Sequence, residues 1–163
     1  KLKLRITMLK LTKCWNVFGG ILLKKIIGSI ERITLPELGL YDLDAKIDTG
    51  AENCALHGDI VSINDGIVSF ILHDEIHPAY NGKIITLPIA READIKSSNG
   101  ETDSRIFIKT KILVFGKEYN VSISLADRSK MKYPMLLGKR FLKGRFLVDV
   151  EQEYISKGII HTC

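Results

Sequence analysis

From Lys25 onward, apolar and polar positions alternate with the period of a strand, in short runs broken by turn residues. Ile26 to Leu35 alternates unevenly and stops at Pro36-Glu37-Leu38-Gly39. Tyr41 to Ile47 puts Leu43, Ala45 and Ile47 on one face. Ile60 to Leu72 holds two short strands around Asn64-Asp65-Gly66, a strong hairpin turn. Lys83 to Ala90 is a further candidate strand, and Ser97-Ser98-Asn99-Gly100 is a turn. Ile106 to Val114 alternates cleanly. Phe115-Gly116-Lys117 returns the chain into Tyr119 to Leu125, where Tyr119, Val121, Ile123 and Leu125 share a face. Phe146 to Val150 closes the series. Only Gly138 to Gly144 has room for one or two helical turns. Short strands at even spacing, with no long helical period, predict a mainly β fold: a small closed antiparallel barrel with a short C-terminal helical turn.

Length adds that one domain is enough: 163 residues, 45% hydrophobic and 26% charged, can bury a core without staples. The partition is a domain over residues 25–157, preceded by an extension over 1–24 and followed by a tail over 158–163. The net charge of +5 changes meaning once it is located. Seven of the 24 basic residues, and no acid, fall within residues 1–25, which leaves 17 against 19 acids in the rest. The basic charge belongs to the arm, and no nucleic-acid partner is expected from the body. The apolar stretch of the arm, Cys14 to Leu23, is too short to span a bilayer, and Lys24-Lys25 follows it where a cleavage site would stand. The arm is expected to be poorly ordered. Cys14, Cys54 and Cys163 are odd in number and far apart, which favours a reducing, cytoplasmic setting. A periplasmic or membrane-associated location through residues 1–24 is the alternative.

The candidate chemistry begins at Ala45-Lys46-Ile47-Asp48-Thr49-Gly50-Ala51. An apolar strand runs into an acid, a small hydroxyl residue and a glycine that permits a sharp turn. Asp48 is presented from a rigid strand end among apolar neighbours. Two such acids sharing one proton can hold and activate a water, one as base and one as acid. As a bare tripeptide the pattern also fits an acid that merely caps a turn. A second segment, Met135-Leu136-Leu137-Gly138-Lys139-Arg140-Phe141-Leu142, follows the hairpin built from Ile106 to Leu125.

This order of segments resembles the retropepsins, which place a hydrophobic-hydrophobic-glycine segment beneath an Asp-Thr-Gly loop. More narrowly it resembles the bacterial and archaeal family known as ATP-dependent zinc proteases, retropepsin-like in fold and often encoded beside ATP-grasp glutamate ligases. The matching stretches are Leu35 to Gly39, Ala45 to Ala51, Ala55-Leu56-His57, Ser97 to Gly100 and Met135 to Asp149, across most of residues 25–155. The resemblance implies an acid-protease barrel and an aspartic endopeptidase acting on a peptide or protein, with glutamate-extended tails as a possible substrate. It implies Asp48 as the catalytic acid. Thr49 would brace the loops across a dimer, and Gly50 and Ala51 would hold the loop and meet substrate. Ser98, Asn99 and Gly100 would form a flap over the ligand, and Leu136, Leu137 and Gly138 would support the Asp48 loop. Where the family has Arg-Thr-Ser after this loop, the chain has Glu52-Asn53-Cys54, and Glu52 is placed to pair with Lys139 or Arg140. Only one Asp-Thr-Gly occurs, so a two-carboxylate site requires a homodimer.

Neither zinc nor ATP follows from the residues. His73-Asp74-Glu75-Ile76-His77 lacks the His-Glu-x-x-His order, and Pro78 follows it. His73 and His77 are candidate ligands of a metal, but a solvated strand end is the better reading. No phosphate-cradling glycine loop with Lys-Ser or Lys-Thr is present, so no cofactor is expected, and any role for ATP would belong to a partner such as a glutamate-ligase system. The alternatives to an endopeptidase are a peptide-binding module without catalysis and a zinc-dependent peptidase. A basic cleft would suit polyglutamate, with Lys46, Arg91, Lys96, Arg105, Lys139 and Arg140 as candidates.

Overall fold

The computed structural model describes residues 24–72, 82–96, 102–126 and 132–158. Its strands are β1 (Lys25–Ile27), β2 (Ile30–Leu35), β3 (Leu40–Ile47), β4 (Cys54–His57), β5 (Asp59–Asn64), β6 (Ile67–Ile71), β7 (Ile84–Pro88), β8 (Arg91–Lys96), β9 (Thr102–Val114), β10 (Lys117–Ala126), β11 (Met135–Leu137) and β12 (Phe146–Val148). One four-residue α-helix among the described residues, α1 (Lys139–Leu142), follows β11. Neighbours run in the order β10, β4, β11, β3, β2, β9, and pairing of β9 with β10 closes the ring into a six-stranded barrel. Two ladders, β3–β11 and β4–β10, are parallel, and the others in the ring are antiparallel.

Alternation builds this barrel as it should. Leu43, Ala45 and Ile47 of β3, Ile108, Ile112 and Val114 of β9, and Ile123 and Leu125 of β10 all point inward and are buried. The turns carry the predicted chemistry: Asp65 and Gly66, and Phe115 and Gly116, have positive φ at both central positions, the two-residue turn whose twist suits a hairpin. Off the barrel, β5, β6 and β7 form a separate antiparallel sheet whose Val68 and Phe70 are fully buried. Phe115, Tyr119, Phe141 and Phe146 pack as an aromatic cluster, with ring centroids 5.7–5.9 Å apart, and seat α1.

The chain after β12 locks onto the start of the barrel through a buried acid. Glu31 is fully buried, and its carboxylate accepts hydrogen bonds from the amides of Gly28 (2.8 Å), Ile155 (3.3 Å) and Ser156 (2.9 Å). Ser29 and Tyr154 add main-chain bonds to Gln152 and Ile30. A buried carboxylate survives only with such donors. Glu31→Gln turns one acceptor oxygen into a donor facing an N–H. It is expected to lower stability by about 2 kcal/mol in urea unfolding, with no change in the barrel's strand content by circular dichroism.

Candidate active site

The Asp48 loop is made by β3 ending against β11. The Ile47 amide bonds to the Ser29 carbonyl (2.9 Å) and the Asp48 amide to the Leu137 carbonyl (3.0 Å), so the residue after the strand is held on both sides. The chain then turns over the Asp48 side chain. Its Oδ1 accepts from the Gly50 amide at 2.8 Å and the Ala51 amide at 3.1 Å. A Cβ on Gly50 would sit 3.2 Å from that oxygen, so glycine makes room for the carboxylate. The carboxylate is thus fixed by its own loop, and among the described residues its second oxygen takes no hydrogen bond.

β11 and α1 lie directly beneath. Leu136 and Leu137 pair with Lys46 and Ile47 of β3 and are buried. Past them the Lys139 amide bonds the Ala51 carbonyl (2.8 Å) and the Arg140 amide bonds the Glu52 carbonyl (3.1 Å). Gly138 stands between these contacts. A Cβ there would drive into the Asn53 carbonyl and meet the Ala51 carbonyl oxygen at 3.0 Å. The segment predicted to support the loop therefore touches it along its length.

Charge reinforces this contact. Glu52 pairs with both expected cations after the second segment, Arg140 (3.1 Å) and Lys139 (3.4 Å). The Arg140 hydrogen bond, then that of Lys139, holds the Glu52 carboxyl below its ordinary value. All three side chains are more than half exposed, so the pair orients the loop and adds little stability. Cys54, at the start of β4, is buried, and burial pushes its thiol up to about 11. Stability from this thiol is complete below its ordinary 9.0 and declines as pH rises toward 11. In a protein carrying Cys14→Ser and Cys163→Ser, Cys54 is expected to resist a thiol reagent at mildly alkaline pH until the chain is unfolded.

Asp48, Thr49, Gly50, Ala51, Leu136, Leu137 and Gly138 are thus brought together. Ser98, Asn99 and Gly100 lie outside the described residues. The strands on either side of them, β8 and β9, pair antiparallel in register from Lys96↔Thr102 back to Arg91↔Phe107. His73 and His77 also lie outside the described residues. Of the basic candidates, Lys139 and Arg140 meet Glu52, Arg105 is engaged by Asp103 at 2.9 Å, and Lys46 is exposed on β3. Arg91 reaches the Asp48 loop, donating from Nη2 to Asn53 Oδ1 (3.2 Å). Arg145, inside the matching stretch Met135 to Asp149 but given no role there, comes to the same region through α1. It follows Gly144, whose φ of 79° turns the chain back.

A family model described as the retropepsin-like aspartic endopeptidase RimB, RimB-like, matches residues 26–158. The chain belongs to this RimB-like family. The match takes in the Asp48 loop, the β8–β9 pair and the β11–α1 support together. Curated relatives carry a different name. A "Probable alpha-L-glutamate ligase" of Shewanella pealeana is 34% identical over 141 residues, which is 80% of this chain and 30% of the relative. One of Parasynechococcus marenigrum is 32% identical over 133 residues, 78% of this chain and 28% of the relative. The chain therefore spans less than a third of these relatives. Among solved structures, a Legionella pneumophila protein of unknown function (DUF785) superposes with a TM-score of 0.67 at 22% identity. It covers 82% of this chain and 99% of its own, a likeness that establishes the shared fold.

Proposed function

We propose that this RimB-like chain is an aspartic endopeptidase whose site is completed by a second copy. The observation that carries the reading is Asp48 itself, held at a strand end with Oδ1 bonded by the Gly50 and Ala51 amides, in a chain with a single Asp-Thr-Gly loop. Two such carboxylates brought together across a two-fold axis cannot both ionise, so one keeps a proton. The ionised one takes a proton from a water lying between them. The water oxygen attacks the peptide carbonyl carbon, and the protonated acid gives its proton to the carbonyl oxygen. Collapse of the resulting diol breaks the C–N bond, with a proton passing to the leaving amine. In this reading Ser98, Asn99 and Gly100 close over an extended peptide and exclude water.

Glutamate-extended protein tails are the proposed substrate. In the relatives the matching segment forms part of polypeptides named for glutamate ligation, which suits a partner system that adds the glutamates this site would remove. The test is cleavage of a mixed peptide library containing glutamate-tailed members, with chelator present. Asp48-dependent cleavage is expected. Cleavage lost to chelator would shift the reading to a zinc peptidase, and absence of cleavage by a folded dimer would leave a peptide-binding module.

A further inference from the structure

Beside the Asp48 loop is a cavity of about 130 Å³, with Asn53, Arg91, Ser122, Arg140, Phe141 and Arg145 in its lining. Three guanidinium groups border this one small space. Close cations repel, and a fold tolerates them only when something compensates. Arg140 has Glu52, at an exposed position. Arg91 and Arg145 have no acidic partner among the described residues. Neutral groups hold them instead. Arg91 lies over the Phe107 ring at 3.6 Å and donates one hydrogen bond to Asn53. Arg145 donates from Nη1 to the carbonyls of Phe141 (2.6 Å) and Arg140 (3.2 Å). A guanidinium has five N–H donors in a planar fork, so both retain donors for a further acceptor. Cations fixed by neutral tethers and left without a counter-ion are prepared for an anion that arrives from outside.

Size and position narrow the anion. The cavity is well below the several hundred Å³ that a nucleotide-sized ligand needs, but it can take one carboxylate side chain. Asn53 follows the Asp48 loop, Arg140 is bonded to it through the Glu52 carbonyl, and Arg91 opens β8, which leads to residues 97–101. A peptide stretched past Asp48 presents a side chain to the same wall at every second residue. We propose that Arg91, Arg140 and Arg145 form a subsite that binds the carboxylate of an acidic side chain near the scissile bond, with Arg91 and Arg145 as the specificity-determining pair. The subsite rests on the endopeptidase reading and would be what selects glutamate-rich chains over neutral ones.

The test compares matched peptides with glutamate or glutamine at the positions flanking the cut. Wild type is expected to favour glutamate by about tenfold or more in kcat/KM. Arg91→Met, which keeps the stem on Phe107, and Arg145→Gln should each erase most of that preference, lowering kcat/KM on the glutamate peptide far more than on the glutamine peptide. Circular dichroism checks folding. Arg91→Met leaves the α1 contacts untouched, and it carries the test if Arg145→Gln fails to fold. Equal use of the two peptides by wild type, or a preference that survives in the variants, overturns the subsite while leaving the endopeptidase reading standing. The second arm measures binding of tetraglutamate and tetraglutamine peptides to Asp48→Asn by fluorescence anisotropy. Arginine-dependent preference for tetraglutamate there supports the subsite even if wild type cuts nothing; its absence overturns it.

Discussion

Asp48→Asn is expected to abolish peptide cleavage, by at least about a thousandfold, with the barrel and the dimer unchanged. On the proposed mechanism the magnitude follows from losing the group that takes the proton of the attacking water; a general base together with the pairing it supports is worth roughly two to four orders of magnitude or more. The structural silence follows from the loop. Asn keeps an oxygen where Oδ1 accepts from the Gly50 and Ala51 amides, so the turn has no reason to open. Sedimentation and thermal melting should match wild type. The same variant tests whether the site is shared. With wild-type chains held constant, an equal amount of Asp48→Asn chain that exchanges freely should cut activity to about half, because half of the wild-type chains then sit in mixed dimers. A site complete within one chain would be unaffected by the addition. That outcome would remove the homodimer from the mechanism even if the variant alone were dead.

The fold was most legible where neighbours in sequence are also neighbours in space. The β5–β6 and β9–β10 hairpins declare themselves by alternation and by Asp65-Gly66 and Phe115-Gly116 at the turns. β4 and β11 were not legible as strands. Cys54 to His57 and Met135 to Leu137 are buried at every position, so they have no polar side to alternate with. Arg91 to Lys96 was hidden for the opposite reason. As the outermost strand beside β9 it carries charge, which suits an edge and obscures a strand. The candidate site divides in the same way. Asp48 and Gly138 stand out because their neighbouring residues form short motifs, and the Glu52 pairing could be expected once the two segments were taken to pack together. Glu31 and Arg145 could not. Glu31 looks like any polar residue in a strand, and its burial depends on Ile155 and Ser156, more than a hundred positions away. Arg145 owes its place to a turn after a four-residue helix.

Gly138→Ala is expected to damage the site from beneath, and the reasoning turns on what the new methyl group would meet. Its obstacles are main-chain atoms: the Asn53 carbonyl, whose carbon would lie 2.6 Å from the Cβ, and the Ala51 carbonyl oxygen. Neither can swing aside as a side chain could. The Ala51 carbonyl is tied to the Lys139 amide and the Glu52 carbonyl to the Arg140 amide, so relief requires β11 and the Asp48 loop to separate. Overpacking of this kind costs about 3 kcal/mol, and for a chain of this size should lower Tm by roughly 6–12 °C. Activity should fall further than stability accounts for. The displaced element is the one that positions the Asp48 carboxylate through the Leu137 carbonyl, and a misplacement on the order of 1 Å can cost a hundredfold in rate. Measured well below its Tm, where the variant is fully folded, Gly138→Ala should therefore show kcat reduced by roughly that factor. Its affinity for peptide, measured in the Asp48→Asn background, should change much less. A variant as stable and as active as wild type would mean that the loop and β11 yield to each other, and that Asp48 is positioned by its own turn alone.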